Sequence, residues 1–519
     1  MIRTSIILWV ALVALPTWAE RLGYHEIQTD ATGQLVSWAA PDPGQAYGRV
    51  IAAVWDFWKH MGTCANGVPY FFQHQVWKPE HDGRGLGGDQ LAMALSSLNL
   101  LYGYSGDPEA RAMMVRIADY YLDHGFSRPT DAWPNLPFPY NTDVHSGICD
   151  GDMRAGKGFL QPDKAGAFGI ELLTLYEMTG SPRYLTAAVG IANTLAAKVT
   201  PGDGEHSPWP FRVQAQTGEL ATRAYAPYTA NWTGTLRLFD ELIRLKQGKP
   251  AACHSAHALL SAWLRAYPMK NDKWGPFFED VAEWSNTEIN ADTLAWYLLE
   301  HPQWDAGWRQ NARAILDWTL GTFGTNGWAR YGVTPIQEQT VYRVPGNSHT
   351  SRHASVEMLY AEKTGDCAHK AEAIRQLNWA TYMVDDDGKN RYPNDDIWLT
   401  DGYGDYLRHY LRAMAAAPEL APTGQDHLLR SSSVIQQIEY GKEAIRYRTF
   451  DAASRERLRV AFEPASITAG GRRLRKYERM EDLDRREGYF FAASGSASGL
   501  LEIKHARSGT IVISQEPGR

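Results

Sequence analysis

Polar and ionisable residues recur where the predicted helices of this sequence begin, and carboxylates are the most frequent among them. The predicted helix starts contain Asp89; Asp163 and Lys164; Tyr228, Asn231 and Trp232; Glu288 and Asp292; His349, Arg352 and His353; and Asp401 and Asp405. Two carboxyl groups that face one substrate can do general acid–base chemistry, because one protonates a leaving oxygen while the other activates water or attacks carbon. Asp is also a preferred N-cap residue, so capping alone explains any single position.

The long segments between the predicted helices add charged and aromatic candidates. These are Asp150, Asp152, Arg154, Trp209 and Trp398. The chain holds 19 tryptophans and 26 tyrosines, most of which we expect to pack in the core. Exposed aromatic rings can stack on the flat apolar faces of sugar rings. Carboxylates together with aromatic rings favour chemistry at a glycosidic bond.

Other catalytic chemistries have no motif in this sequence. HExxH, GxSxG and the phosphate-binding loop are all missing. His349 and His353 lie four residues apart and can share one helix face, but no matching third ligand is evident near them. We therefore predict neither a metal site nor a cofactor. The net charge of −7 argues against a nucleic-acid partner.

Twelve amphipathic segments of helical length occupy most of the chain, and apolar residues recur in each at helical spacing. They cover 48–61, 89–104, 108–124, 164–179, 182–199, 228–247, 251–267, 287–301, 306–323, 348–364, 367–384 and 401–417. Several neighbouring segments are joined by short turns, with Gly after the first helix and Pro near the start of the second. This pattern predicts a series of antiparallel helical hairpins.

Six hairpins can close into an (α/α)6 toroid if the first and last helices pair with each other. We predict this toroid for residues 20–420. The helices before the short turns are rich in Gly, Ala and Leu, so we assign them to an inner ring. Inner helices run parallel, and their starts therefore meet at one end of the toroid. The long loops 62–88, 125–163, 200–227, 268–286, 324–347 and 385–400 lie at that same end.

The two ends of the chain differ from this helical pattern. Residues 1–19 have Arg3, an apolar run and Thr-Trp-Ala, which predicts a signal peptide cleaved after Ala19 and an exported protein without a membrane anchor. Residues 430–519 contain short β-type runs with Gly-rich turns, which predict a small antiparallel, sandwich-like accessory domain. Cys64, Cys149, Cys253 and Cys367 are widely spaced, and an oxidising compartment would allow one or two disulfides.

Two hairpin segments carry a resemblance to a known family. LGGDQLAMALSSLNLLYGYSGDPEARAMMVRIADYYLDH and QPDKAGAFGIELLTLYEMTGSPRYLTAAVGIANTLAAKV resemble hairpins of unsaturated glucuronyl and rhamnogalacturonyl hydrolases in the six-hairpin glycosidase superfamily. The resemblance implies that Asp89 and Asp163 are the catalytic pair, one of them the general acid. It also implies hydration of the C4–C5 double bond of an unsaturated uronic acid.

The expected function is that of an exported glycoside hydrolase acting on an oligo- or polysaccharide. The residues expected to bind the glycan are Asp152, Arg154, Trp209, Tyr228, Trp232, Glu288, Asp292, Asn347, His349, Arg352, Trp398 and Asp401. One alternative is a polysaccharide lyase or uronyl epimerase that uses Asn347, His349 and Arg352. A second is a glycan-binding protein without catalysis. A uronate carboxylate needs cationic or hydrogen-bond-donor partners, which Arg154, Lys164, His349 and Arg352 can supply.

Overall fold

A computed structural model describes residues 20–61, 88–140, 142, 149–222, 225–278, 283–390, 404–494 and 498–515, with the side chains of 88–91 left out. The first part of the chain is helical. Its helices are α1 (Pro43–His60), α2 (Gly88–Ser105), α3 (Pro108–His124), α4 (Pro162–Thr179), α5 (Pro182–Lys198), α6 (Thr233–Leu245), α7 (Pro250–Ala266), α8 (Pro268–Asn271), α9 (Glu288–Glu300), α10 (Trp308–Phe323), α11 (Asn347–Thr364), α12 (Lys370–Thr381) and α13 (Tyr406–Ala416). None of the helices in these ranges combines the length and apolarity needed to cross a bilayer.

Six of these helices form a closed inner ring. Helices α2, α4, α6, α9, α11 and α13 contact one another in that order, and α13 returns to contact α2. Helices α3, α5, α7, α10 and α12 each pack outside the inner helix that precedes them, and α1 packs against α13 and α12. The first and last long helices therefore close the ring, which confirms the predicted (α/α)6 toroid.

Small residues let the inner helices approach closely. A Cβ atom placed on Gly166 of α4 would overlap the side chain of Thr235 on α6. A Cβ atom on Gly234 of α6 would in turn overlap the backbone of Ala167. Because protein interiors are close-packed, a larger residue at either position would force the two helices apart. The Gly- and Ala-rich composition of the inner helices has this physical cause.

The C-terminal part of the chain forms two five-stranded sheets. Its strands are β9 (His427–Ser431), β10 (Ile435–Tyr440), β11 (Ala444–Thr449), β12 (Ser454–Val460), β13 (Ser466–Ala469), β14 (Arg472–Arg473), β15 (Lys476–Tyr477), β16 (Gly488–Ala493), β17 (Gly499–His505) and β18 (Thr510–Ser514). The sheet orders are β10-β11-β18-β13-β14 and β15-β16-β17-β12-β9. The pairs are antiparallel except β15 with β16, which is parallel, and β9 begins three residues before the expected start at 430.

Shorter elements lie between and before the long ones. The two-residue strands are β1 (Arg21–Leu22), β2 (His25–Glu26), β3 (Gln28–Thr29), β4 (Leu35–Val36), β5 (Gly151–Asp152), β6 (Gly156–Lys157), β7 (Phe159–Leu160) and β8 (Val213–Gln214). A one-turn helix, α14 (Asp482–Arg485), precedes β16. Strands β5 to β8 belong to the loops that enter α4 and α6, and the pairing of β7 with β8 joins these two loops.

The sheets pack against the C-terminal end of the inner ring. Strand β9 contacts α2 and α13, and β10 contacts α4. The Tyr440 hydroxyl donates to the Gly103 carbonyl at 2.6 Å, and the His427 ring stacks on Tyr104 with 3.8 Å between centroids. Gly103 and Tyr104 lie in the last turn of α2. The N-terminal end of the ring therefore lies at the opposite end of the toroid from the sheets.

Three of the four cysteines are described, and each is a free thiol. Cys149 and Cys253 are buried, whereas Cys367 is exposed. The expected signal peptide 1–19, Cys64, Trp398 and Asp401 lie outside the described residues, and so does the side chain of Asp89.

Candidate functional site

The polar residues at the inner-helix starts do not act as helix caps. No side-chain capping hydrogen bond occurs at the described starts of α4, α6, α9, α11 and α13. Outer helices differ, because Asp42 caps α1 and Asp107 caps α3 through their carboxylates. Capping therefore leaves the inner-ring residues unexplained, and their side chains bind one another across neighbouring helices instead.

Asp163 forms a buried cluster between α4 and α6. Its Oδ2 accepts hydrogen bonds from Lys164 Nζ at 2.9 Å and from Asn231 Nδ2 at 2.7 Å. Lys164 also donates to the Phe277 carbonyl at 2.7 Å and lies 3.6 Å from the centre of that ring. The buried Oδ1 of Asp163 has no hydrogen-bond partner among the described residues. Two donors therefore fix one oxygen of Asp163, and the other oxygen is available to a ligand.

Glu288 of α9 and Asp405 at the start of α13 share the guanidinium of Arg352 on α11. Arg352 donates through Nη1 to Glu288 Oε1 and through Nη2 to Asp405 Oδ2. His349 donates from Nδ1 to the same Glu288 oxygen at 2.6 Å. All four side chains are at most 2% exposed. The charges of these groups therefore interact with one another more strongly than they would in water.

The pKa values of the two carboxyl groups that bind Arg352 are shifted in opposite directions. Burial raises the pKa of Glu288 well above its ordinary value, and the neighbouring Asp292 and Asp405 add to this despite Arg352. Burial would also raise the pKa of Asp405, but Arg352, Arg408 and His409 hold it well below the ordinary range. Glu288 is thereby a candidate proton donor, and its buried Oε2 has no hydrogen-bond partner in the described chain.

A second carboxylate–histidine pair lies one helical turn further along α9 and α11. His353 donates from Nδ1 to Asp292 Oδ2 at 2.9 Å. Burial alone would lower the pKa of His353, but Asp292 and then Glu357 raise it overall. Glu357 is itself held by two hydrogen bonds from Arg313, at 2.8 and 2.6 Å. His349 and His353 thus each have Nδ1 on a carboxylate, which orients the opposite ring nitrogen.

Three of the four predicted aromatic platforms are core residues, and the fourth, Trp398, lies outside the described residues. Trp209, Tyr228 and Trp232 are each 0% exposed, so no ring face is open to a sugar. Trp209 and Trp232 pack on each other with 4.8 Å between centroids, and their indole N–H groups donate to the carbonyls of Leu195 and Thr229. The prediction that these residues bind the glycan was therefore wrong, since they pack the loops that lead into α6.

Two further predicted residues lie away from these clusters. Asp152 is fully buried and pairs with Arg212 at 3.0 Å and with the Gln161 amide, so it anchors the loop before α4. Arg154 is exposed on the same loop. Asn347, by contrast, is buried in the first turn of α11, where its Oδ1 accepts from the Ser348 amide at 2.7 Å.

Several functional candidates were not predicted as site residues. Arg408 and His409 both contact Asp405, at spacings of three and four residues along α13. That helical spacing is readable in the sequence and could have identified them. Arg212 lies 60 residues from its partner Asp152, and no local pattern indicates the pair. Among the described side chains, no group of three or more His, Cys, Asp or Glu is placed to hold a metal ion.

A narrow cavity continues from the partners of Asp163 along the axis of the toroid. This axial cavity has a volume of about 80 Å³. Lys164, Asn231 and Phe277 line it near the helix starts, and Arg237 and Trp296 line it further along the axis. The Asp163 cluster therefore borders an internal space.

Comparison with known proteins identifies the fold. No family model and no curated protein matches the sequence. A cellobiose 2-epimerase from Spirochaeta thermophila superposes with a TM-score of 0.53 at 13% identity, covering 73% of this chain and 98% of that one. A D-mannose isomerase gives 0.52 at 9% identity, covering 72% and 96%. An unsaturated glucuronyl hydrolase specific for heparin gives 0.44 at 10% identity, covering 73% and 99%.

Proposed function

We propose that this chain, whose fold is that of the six-hairpin glycosidase superfamily, is a carbohydrate-active enzyme with its active site at the N-terminal end of the inner ring. Two similar structures, a sugar epimerase and a sugar isomerase, support the substrate class. The uncapped helix starts support the position of the site, because their polar side chains converge on neighbouring helices. An oligo- or polysaccharide is the proposed substrate.

The reaction proposed first is glycoside hydrolysis, and the observation that carries it is the state of Glu288. A buried carboxyl with a raised pKa holds its proton more tightly than an exposed one and can give it to a glycosidic oxygen. Asp163, with its free Oδ1, is the proposed second carboxylate, which activates water or attacks the anomeric carbon. Asp89 is the alternative partner that the family resemblance implies.

A substrate panel tests the reaction class. Oligo- and polysaccharides are incubated with the purified protein, while reducing ends and ultraviolet absorbance are followed together. A hydrolase of ordinary glycosides releases reducing ends without a change in absorbance, whereas a hydrolase of unsaturated uronides destroys the conjugated chromophore. Appearance of that chromophore would identify a lyase instead. Binding without any product from any substrate would leave only a glycan-binding protein.

Variants of the two aspartates test which one takes part. We expect Asp163→Asn, or Asp89→Asn if Asp89 is the partner, to lower kcat by about 10²- to 10⁴-fold, the usual contribution of a general acid or base. Glu109→Gln is the control, since Glu109 lies in the first turn of an outer helix and pairs with Arg116 on the surface. Full turnover in both aspartate variants would remove these residues from the mechanism.

Proton abstraction from a sugar carbon is the second candidate reaction. The carboxylate-bound His349 favours it, because a histidine held through Nδ1 can use its other ring nitrogen as a general base. His353 is less suited to this role, since its pKa is raised and its Nε2 lies 3.7 Å from Glu357. Asn347 and Arg352 are then the candidate partners of a uronate carboxylate. An epimerase would incorporate deuterium from heavy water into recovered sugar without releasing reducing ends. Lack of exchange together with released reducing ends would exclude it.

Export is a further part of the proposal. The charged, apolar and small-residue regions of 1–19 support a cleaved signal peptide. When the gene is expressed in a bacterial host, we expect the mature protein outside the cytoplasm, beginning at Glu20. Mass spectrometry of the intact protein measures this directly, and an uncleaved cytoplasmic product would contradict it.

A further inference from the structure

A larger cavity lies at the C-terminal end of the inner ring, between the helices and the sheet that contains β9, β12 and β17. This C-terminal cavity has a volume of about 610 Å³. Its lining combines Arg237, Trp296 and Arg412 of the inner helices with Arg430 and Arg457 of the sheet. Glu171, Arg237, Trp296 and Arg412 also line the axial cavity, so the two spaces meet at these side chains.

Two arginines flank one tryptophan where the cavities meet. The guanidinium carbon of Arg412 lies 4.7 Å from the Trp296 ring centre, and that of Arg237 lies 5.2 Å from it. Arg237 has Glu171 at 3.7 Å. Arg412 makes no hydrogen bond or ion pair with any described residue and is held only by its contact with Trp296. Glu171 is thus the one described carboxylate in an ion pair with either arginine, whereas Glu300 and Glu502, which also line the cavity, pair with Lys363 and with Arg455 and Arg457.

Burial and the neighbouring arginines together destabilise the charge on Arg412. Arg408 also lines the axial cavity, but its guanidinium is bound to Asp405. Burial lowers the pKa of Arg412 to about 9, and repulsion from Arg408 and Arg237 adds to this, while attraction to Asp405 and Glu171 offsets only part of the shift. The lower pKa means that the charged guanidinium is destabilised where it stands, so an anion beside it would be favoured.

Neutral donors lie on the wall of the same cavity. Ser96 and Asn99 of α2 line it, and neither makes a hydrogen bond with a described residue. In folded proteins such groups are normally bonded to protein, water or ligand. A cavity of this volume falls within the range of small-ligand sites.

We propose that the C-terminal cavity binds a small oxyanion between Arg237 and Arg412. The ligand class is a phosphate, a sulfate or the carboxylate of an acidic sugar, because guanidinium groups bind such oxygens in planar hydrogen-bonded pairs. The site is separate from the clusters at the N-terminal end and does not depend on the hydrolytic reaction proposed there.

A route from the surface reaches this site. A third cavity of about 340 Å³ lies beside the first and shares Asn99, Thr174 and Arg237 with it. Ser432, which is exposed, lines both spaces. A ligand can therefore enter between the toroid and the sheets without crossing the N-terminal end.

Calorimetric titration and thermal unfolding of the full protein test the site. Inorganic phosphate, sulfate and glucuronate are compared with chloride at constant ionic strength. We expect at least one oxyanion to bind and to raise Tm, since ligand at 100 times its Kd lowers the unfolding equilibrium constant by about 100-fold. A response to phosphate or sulfate indicates an inorganic or phosphorylated ligand, and a response to glucuronate alone indicates an acidic sugar.

Arg412→Met is the decisive variant, and Arg309→Met is its matched control. Arg309 stands over Trp308 at 5.4 Å on the surface of an outer helix, so its loss removes a similar contact away from the cavity. We expect Arg412→Met to weaken oxyanion binding by about tenfold or more, as for loss of a hydrogen bond to a charged group, and Arg309→Met to leave binding unchanged. Arg237→Met provides a second test if Arg412→Met fails to fold. Equal effects of chloride and oxyanions, or unchanged binding in the variants that fold, would overturn the proposal.

Discussion

The two ends of the inner ring use charge in different ways. At the N-terminal end, Glu288, Asp405 and Arg352 form a compact network of shared hydrogen bonds. At the C-terminal end, Arg412 has no carboxylate partner in the described chain and faces a large cavity. Parallel helices favour this separation, because their N-terminal ends attract carboxylates and their C-terminal ends attract cations. The same ring therefore offers one end suited to acid–base chemistry and another suited to an anion.

Removing the shared guanidinium at the N-terminal end should have the largest effect on stability. Arg352→Met leaves two buried carboxyl groups without their common partner, and breaking a buried pair typically lowers the free energy of unfolding by about 3–5 kcal/mol. Denaturant titration measures this loss. Arg352→Lys, which keeps the charge but cannot bind both carboxylates in the same way, should lie between the variant and wild type. Unchanged stability in Arg352→Met would show that the network carries no stabilising energy.

Acid lability should arise at both ends of the ring. Burial lowers the pKa of His409, near the N-terminal end, to about 3, and that of His427, at the C-terminal end, to about 4. A histidine whose pKa is lower in the folded state gains protons on unfolding, so its contribution to stability is lost as pH falls from its ordinary pKa toward the lowered value. We expect Tm to fall below about pH 6.5, the ordinary pKa of histidine.

Replacing the two histidines one at a time measures how much each end of the ring contributes to the fall in Tm at low pH. His409→Gln and His427→Gln should each flatten the dependence of Tm on pH, and the double variant should flatten it most. Thermal unfolding between neutral pH and the lowered pKa of His427, about 4, is the measurement. A double variant with the wild-type pH dependence would mean that burial does not hold these rings neutral.

The smallest change in the free energy of unfolding is expected at the C-terminal end. It should be an increase, whereas Arg352→Met causes a decrease. Arg412→Met removes a buried charge that lacks a carboxylate partner, so in chloride buffer the free energy of unfolding should rise by about 1 kcal/mol. Denaturant titration without oxyanions measures it. A decrease in the free energy of unfolding as large as that expected for Arg352→Met would contradict the proposed difference between the two ends.

The fold could be predicted from the sequence because each hairpin repeats the same local signals. Helical spacing and short Gly- and Pro-containing turns were enough to indicate the closed ring. Boundaries were less accurate, since the predicted helix at 228–247 begins only at Thr233. Residues 228–232 lie in the loop before the helix, where the Tyr228 hydroxyl donates a hydrogen bond to the Lys273 carbonyl at 2.6 Å.

The site could be predicted only in part. The sequence indicated Glu288, His349 and Arg352 as candidates, because polar residues at the starts of apolar helices are visible locally, and the structure brings these three side chains together. It could not identify which of them share a proton, because Arg352 lies 64 residues from Glu288 and 53 from Asp405. It also could not show that Trp209 and Trp232 cover each other, since the loop that buries a ring leaves no local pattern.

The central claim is that catalysis belongs to the N-terminal end, with Glu288 as its proton donor. Glu300 provides the matched comparison, because it lies at the other end of the same helix, 3.6 Å from Lys363. Once the substrate is known, kcat of Glu288→Gln should fall by about 10²- to 10⁴-fold, while kcat of Glu300→Gln should stay near that of wild type. Equal activity of the two variants, with both proteins folded, would contradict the account.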